Sequence, residues 1–151
     1  MSDMITIKID SARLTAMLKR LAASGRDLTP AMRQAAGIMD SAVNDNFEEG
    51  GRPKWKALAL STVRKREKRG DTPIRPLIIT GDLKGSISRH FDATSAVVGT
   101  NHPLAAIHNF GGKAGRGRKV EIPARPFLSL DDDDEEEIEA CFAKFLAKAV
   151  S

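Results

Sequence analysis

The sequence is short of the residues on which several protein classes depend. A single cysteine, Cys141, stands among 151 residues. This excludes a disulfide framework within the chain and fits a reducing compartment. That cysteine and three scattered histidines, His90, His102 and His108, fall short of the four nitrogen or sulfur ligands that a structural zinc site takes. Tyrosine is absent and aromatics make up 5% of the chain. Only Trp55 lies near a basic cluster, which is thin for stacking on single-stranded bases. No apolar run reaches the roughly 18 residues that a membrane helix needs. The opening Met1-Ser2-Asp3-Met4 lacks the basic patch and apolar run of a secretory signal. The sequence also contains no nucleophile elbow, P-loop, His-Glu-x-x-His or dinucleotide glycine motif.

What the chain does have is charge, unevenly placed. The net charge is +4. From Arg52 to Arg125 there are 16 Lys/Arg against 5 Asp/Glu, a surplus of 11, and from Asp131 to Ser151 there are 8 acids against 2 lysines, a deficit of 6. Such asymmetry favours charged partners, either nucleic acid or neighbouring subunits; the plainer reading is a solvated basic face with an acidic helix. The 41% of apolar residues suffices for a core, and this length suggests one domain, 1–151, burying roughly 70% of its surface.

The apolar spacing predicts the elements. Met4 to Ile9 alternates as a short strand, and Asp10 or Ser11 can cap a following helix carrying Leu14, Met17, Leu18 and Leu21 on one stripe. Thr29 caps a second helix with Pro30 at its first helical position and Met32, Ala36, Met39, Val43 and Phe47 inward. Together these form a helical part at 10–49. A β-rich part with basic loops follows at 50–130. There Ser61 caps a basic helix from Thr62 to Arg69, Gly81 makes a turn, and Ser88–Phe91 and Ala96–Thr100 flank a turn at 92–95. Leu104 to Phe110 forms one or two helical turns closed by Gly111-Gly112. Gly111 to Arg118 is a flexible basic loop, and Lys119 to Ile122 returns to the sheet. A C-terminal amphipathic helix occupies 131–150, with Ile138, Cys141, Phe142, Phe145, Leu146 and Ala149 inward and Cys141 an inert core thiol. The expected class is α+β: two N-terminal helices, a small, mostly antiparallel β-sheet and the C-terminal helix.

The seven consecutive acids, Asp131 to Glu137, are the sharpest local feature. As a calcium loop they lack alternating ligands and the turn glycine, and on a helix they point around the axis instead of converging. As a helix start, Ser129 or Asp131 caps and the next acids suit the positive helix end. Seven exceed that need, so the surplus is either solvated or faces a basic partner. His108 could serve as a general base, but no nucleophile or orienting carboxylate stands at a recognisable spacing. In Pro123-Ala124-Arg125-Pro126-Phe127-Leu128 the two prolines fix an extended segment that Phe127 and Leu128 anchor. Arg125 is left to pair within the chain or across an interface.

The order of motifs then carries a resemblance. Trp55 with Leu58-x-x-Ser61-Thr62 and a basic tail is followed by Thr80-Gly81-x-Leu83-x-x-Ser86 and Val98-Gly99-Thr100. Next come Ala105-x-Ile107-His108-x-Phe110-Gly111 and Ile122-Pro123-Ala124-Arg125-Pro126-Phe127-Leu128. The succession, from about Gly50 onward, resembles the phage virion morphogenesis family, the tail-completion and head–tail-joining proteins of tailed phages and Mu-like prophages. The resemblance implies a non-enzymatic structural subunit without cofactor or small-molecule substrate. It implies assembly in the bacterial host cytoplasm and then a place in the virion, as a ring, favoured as a hexamer, with other neck or tail proteins. Its motif positions make Trp55, Thr80, Gly81, Leu83, Ser86, His108, Phe110, Gly111, Pro123, Arg125, Pro126 and Phe127 the candidate interface residues. Arg64, Lys65, Arg66, Lys68, Arg69, Lys113, Arg116, Arg118 and Lys119 are candidates for contact with DNA or an acidic partner. Asp133, Asp134, Glu135, Glu136 and Glu137 are candidates for a basic one. Two competing readings are a basic accessory protein on the DNA backbone and, with least support, a metal-dependent nuclease using the acid run.

Overall fold

The computed structural model describes residues 4–7, 11–70, 76–78 and 81–148. Asp10, Thr80 and Ala149 lie outside them. Among the described residues the elements run β1 (Ile5–Thr6), α1 (Ala12–Ala23), α2 (Thr29–Glu49), α3 (Leu60–Arg69), α4 (Asp82–Gly85), β2 (Ser88–Phe91), β3 (Ala96–Thr100), α5 (Ala105–Phe110), β4 (Gly112–Ala114), β5 (Val120–Ile122) and α6 (Asp132–Lys148). The class is α+β, with small antiparallel sheets and a C-terminal helix. The chain falls into two compact units. The helical unit takes residues 6–43, 88–99 and 128–151, and the motif unit takes residues 1–5, 44–87 and 100–127.

In the helical unit, Ser11 caps α1, its hydroxyl accepting the Leu14 N–H at 3.3 Å. Leu14 and Leu21 are buried, Met17 is half-buried and Leu18 is exposed, so the α1 stripe is narrower than its spacing suggests. Thr29 does not cap α2. It is the helix's first residue, and both its N–H and its hydroxyl donate to Asp27. Those bonds, the hydroxyl's first, hold the Asp27 carboxyl below its ordinary value. Met32, Ala36, Met39, Val43 and Phe47 of α2 are all buried. Asp40 pairs with Arg89 of β2 at 3.6 Å.

The β2–β3 hairpin runs antiparallel in the register Ser88↔Gly99 to Phe91↔Ala96, with sheet order β1-β3-β2. Asp92 closes its turn by accepting from the N–H groups of Thr94 and Ser95, each at 2.8 Å, and from their hydroxyls. Helix α1 packs on α6. Arg13 pairs with Glu139 at 3.0 Å, and the Arg26 guanidinium donates to the Phe145 carbonyl while lying 4.1 Å from the centre of its ring.

The acid run divides where α6 begins. Asp131 accepts the Asp134 N–H at 2.8 Å, and Asp134 reaches back to the Asp131 N–H at 3.0 Å. This is a reciprocal capping box built from two aspartates. Asp134 is buried, which removes it from the acids that can meet a partner. Asp132, Asp133, Glu136 and Glu137 are exposed and Glu135 is half-buried. Ile138 and Phe142 are buried, but Cys141 is only half-buried, its thiol donating to Gln34 Oε1 at 2.9 Å. Burial still pushes that thiol's pKa up, with a smaller push from Glu137.

The cap leads to a contrast between neighbouring acids. Asp131→Ala is expected to cost about 0.5–2 kcal/mol in urea unfolding, while Asp133→Ala, one residue into the helix and exposed, changes stability by less than about 0.5 kcal/mol. Equal losses at the two positions would refute the capping assignment.

Candidate functional site

Helix α3 begins at Leu60, not Thr62. Ala59 precedes it without a side-chain cap, so Ser61 lies inside the helix, and Gly70 closes it. Thr62 and Val63 are half-buried and Arg66 is buried, 6% exposed, while Arg64, Lys65, Lys68 and Arg69 are exposed. One residue of the basic run therefore points inward. Helical spacing could have revealed it, because Arg66 shares a face with Thr62 and Val63. Gly81 precedes α4, Leu83 is buried, and the Ser86 hydroxyl bonds both the Leu83 carbonyl and the buried Thr100 hydroxyl.

Residues 111–118 are not a structureless loop, and 119–122 do not rejoin the main sheet. β4 and β5 pair antiparallel with each other, Gly112↔Ile122 to Ala114↔Val120, around a 3₁₀ turn at Arg116–Arg118. Lys113 stands opposite Glu121, a favourable cross-strand pairing. Lys113, Arg116, Arg118 and Lys119 are all exposed. Three-residue strands carry too little alternation to be legible in sequence.

The Pro-x-Arg-Pro-Phe segment is the core of the motif unit. The Arg125 N–H donates to the His108 carbonyl at 2.8 Å. The Arg125 guanidinium donates through Nε and Nη2 to the Lys56 and Ala57 carbonyls, at 3.0 and 3.2 Å. Trp55 Nε1 donates to the Pro126 carbonyl at 3.0 Å. The Phe127 N–H donates to Asn109 Oδ1 at 3.0 Å, and its carbonyl accepts from Asn46 Nδ2 at 2.8 Å. Asn46 Oδ1 in turn accepts from Arg52 Nε. The Phe127 ring lies 5.2 Å from Phe47, which meets Trp55 edge-on at 6.0 Å. Pro123 is half-buried and Pro126 is exposed.

Gly111 shows why the two motifs travel together. Its φ is +77°, and a Cβ there would stand 2.8 Å from the Ala124 N and 3.0 Å from the Ile122 carbonyl oxygen. Gly51 has the same role against Trp55, whose ring atoms a Cβ would meet at 2.5 Å. The structure thus brings together Trp55, His108, Gly111, Pro126, Phe127 and Arg125. It leaves Phe110 outward, 65% exposed. Asn46, Gly51 and Asn109 were not singled out in the sequence. Asn46 and Asn109 lie at helical spacing from buried Val43 and Ala105, a signal that periodicity carries even for polar residues.

Beside this segment lies a cavity of about 240 Å³, lined by Arg66, Asp82, His102, Leu104, His108 and Arg125 among others. His108 Nδ1 is buried without a hydrogen-bond partner. Burial first, then the Arg125 and His102 charges, holds the His108 imidazole below its ordinary value of 6.5. Burial, then Arg66, draws Arg125 below its own ordinary value. Among the described residues no group of three or more His, Cys, Asp or Glu side chains could hold a metal ion. No helix there is long and apolar enough to cross a membrane.

This geometry ties a scaffold together through carbonyls, amides and packed rings. The family-model comparison gives the class: residues 9–147 match the phage virion morphogenesis family. The chain belongs to that family, and its role is structural, in phage assembly. It is 51% identical to the Mu-like prophage FluMu G protein 2 of Haemophilus influenzae over 136 residues, covering 89% of this chain and 91% of that one. It is 30% identical to the putative capsid assembly protein G of Escherichia phage Mu over 155 residues, covering 99% of each. No solved structure matches.

Two measurements check the site. Asn109→Ala leaves the Phe127 N–H buried without its acceptor and is expected to cost about 1–3 kcal/mol by urea unfolding; a loss below that range would dissolve the clamp. His108 sets a pH window. Its folded pKa is depressed, so above the ordinary value of 6.5 the ring is neutral in both states and the stability is fully present. As pH falls through 6.5 the unfolded chain takes up a proton that the folded chain resists, and stability is lost. Stability should therefore drop between about pH 7.5 and about pH 5.5 by more in the wild type than in His108→Gln. Identical profiles would count against the buried neutral ring.

Proposed function

We propose that this chain is a non-enzymatic subunit of tail completion or head–tail joining, assembling as a ring at the virion neck, a hexamer favoured, with other neck or tail proteins as neighbours. It would assemble in the cytoplasm of the bacterial host and remain in the virion. Family membership supports the assembly role. The observation that carries the ring is the separation of exposed charge onto different elements. α3 and the β4–β5 hairpin carry exposed Lys and Arg, while α6 opens with the exposed acids Asp132, Asp133, Glu136 and Glu137. A ring joins two different patches of each subunit. Matched patches of opposite sign orient that docking and speed it more than they strengthen it. Basic loops also suit a passage through which DNA runs. The phage Mu relative is named for capsid assembly, and a subunit seated where a tail meets a head acts on a capsid.

Particles produced without this chain provide the test. Heads and tails should accumulate unjoined; infectious virions at normal yield would overturn the proposal. A second reading, an accessory protein on the DNA backbone, is favoured by the eight exposed cations of α3 and the hairpin. It requires duplex affinity that falls with log salt at a slope of about −0.9 per phosphate contacted, and a shallower slope in Lys113→Glu/Arg116→Glu. DNA binding that ignores these substitutions would eliminate it.

A further inference from the structure

Phe110 is mounted firmly and left outside. Its side chain is 65% exposed, yet the backbone around it is tied down on both sides. The His108 carbonyl accepts the Arg125 N–H at 2.8 Å, and the Gly111 N–H donates to the Ile107 carbonyl at 2.8 Å. Between them the buried Asn109 accepts the Phe127 N–H at 3.0 Å. Gly111 itself lies too close to the Ala124 backbone to carry a Cβ. Exposed apolar side chains scattered singly need no explanation. A large ring on a fixed mount is different, because an aromatic anchor that is already oriented binds with little further loss of entropy. The chain then runs into the β4–β5 hairpin, where Lys113, Arg116, Arg118 and Lys119 are exposed.

The helical unit carries an apolar recess of about 260 Å³ between α1, α2 and α6. Leu14, Met32, Met39, Ile138 and Phe142 form buried walls, and the exposed Thr15 and Leu18 stand at the mouth. Among the described residues no charged side chain lines it. An apolar cavity of roughly 150 Å³ already takes a benzene molecule, so a phenyl ring fits. Methionine sulfur and a facing aromatic ring both make favourable contacts with such a ring. The wall helix α6 opens with the exposed acids Asp132, Asp133, Glu136 and Glu137. Arginines of this unit are already engaged within it, Arg13 with Glu139, Arg89 with Asp40, and Arg26 and Arg33 against the Phe145 and Phe91 rings. The densest exposed charge on the unit is therefore that acidic helix start, opposite in sign to the hairpin beside Phe110.

We propose that Phe110 of one copy enters the α1–α2–α6 recess of a second copy, with the cations of the first copy's β4–β5 hairpin set against the acids that open the second copy's α6. The proposal rests on the reading that copies of the chain associate, and goes beyond it in naming the anchor and its seat. Burial of the ring holds the contact, and the charges orient the approach. Each copy has both a ring to give and a recess to receive one, so association can continue from copy to copy.

The test follows full-length proteins by analytical ultracentrifugation over a range of concentrations. Phe110→Ala removes the ring. Leu18→Glu, at a position 41% exposed, puts a charge where the ring would enter. Leu60→Ala, at a position 73% exposed in the motif unit, controls for the loss of any outward apolar side chain. Phe110→Ala and Leu18→Glu are each expected to weaken self-association by about tenfold or more, and Leu60→Ala to behave as the wild type. Mixed in equal amounts, the two variants should pair, because the intact ring of one meets the intact recess of the other. Those pairs should grow no further, since what remains is a missing ring and a blocked recess. A benzophenone side chain in place of Phe110 gives a second readout, a cross-linked dimer joined at recess residues such as Met32 or Met39. A wild type that is monomeric at every concentration, a Phe110→Ala protein that associates as the wild type does, a mixture that fails to pair, or a cross-link outside the recess would each overturn the proposal. Wild-type oligomers indifferent to both variants would remove this contact and leave the ring reading standing. Normal virions made without the chain would remove the ring reading whatever Phe110 does.

Discussion

The backbone of Phe127 is held on both sides by asparagine side chains, Asn109 taking its N–H and Asn46 donating to its carbonyl. The motif unit depends on that clamp. A chain segment with two prolines forms few backbone hydrogen bonds of its own. Left buried without partners, the remaining polar groups would each cost about 1–3 kcal/mol. The asparagines, the indole of Trp55 and the His108 carbonyl meet that need one group at a time. In doing so they gather the end of α2, α5 and the 55–57 stretch around one extended segment.

The clamp also decides what is available for function. With the backbone of residues 125–127 tied down, Arg125 spends two donors on the Lys56 and Ala57 carbonyls and still brings its charge to a cavity shared with Arg66 and His108. Packing rings and satisfied amides do structural work. They leave exposed cations on α3 and the β4–β5 hairpin and exposed acids on α6.

Much of this was legible in the sequence because it is periodic. The predicted α2 stripe of Met32, Ala36, Met39, Val43 and Phe47 is buried, and β2 and β3 occupy the residues predicted on either side of the turn at 92–95. The parts that were not legible are short or depend on distant residues. The β4–β5 hairpin has three-residue strands in a run of glycine and basic residues. Thr29 gave up its expected capping role because Asp27, two residues earlier, accepts both of its donors. Leu18 lies on the α1 stripe yet is exposed, since a stripe of spacing does not say how wide the facing surface is.

The seven acids show where the two sources of information divide. The sequence by itself determined that they suited the start of a helix, because that follows from spacing along one chain. Likewise it determined that the Pro-x-Arg-Pro-Phe segment is extended, because proline fixes φ wherever it stands. Only the tertiary structure decided that Asp134 turns inward to complete a cap while Asp133 stays out, that one arginine of five neighbouring cations is buried, and that Asn109 and Asn46 meet at Phe127. A polar side chain has several possible partners of similar energy, and the one it takes depends on which groups the rest of the chain brings within hydrogen-bond reach.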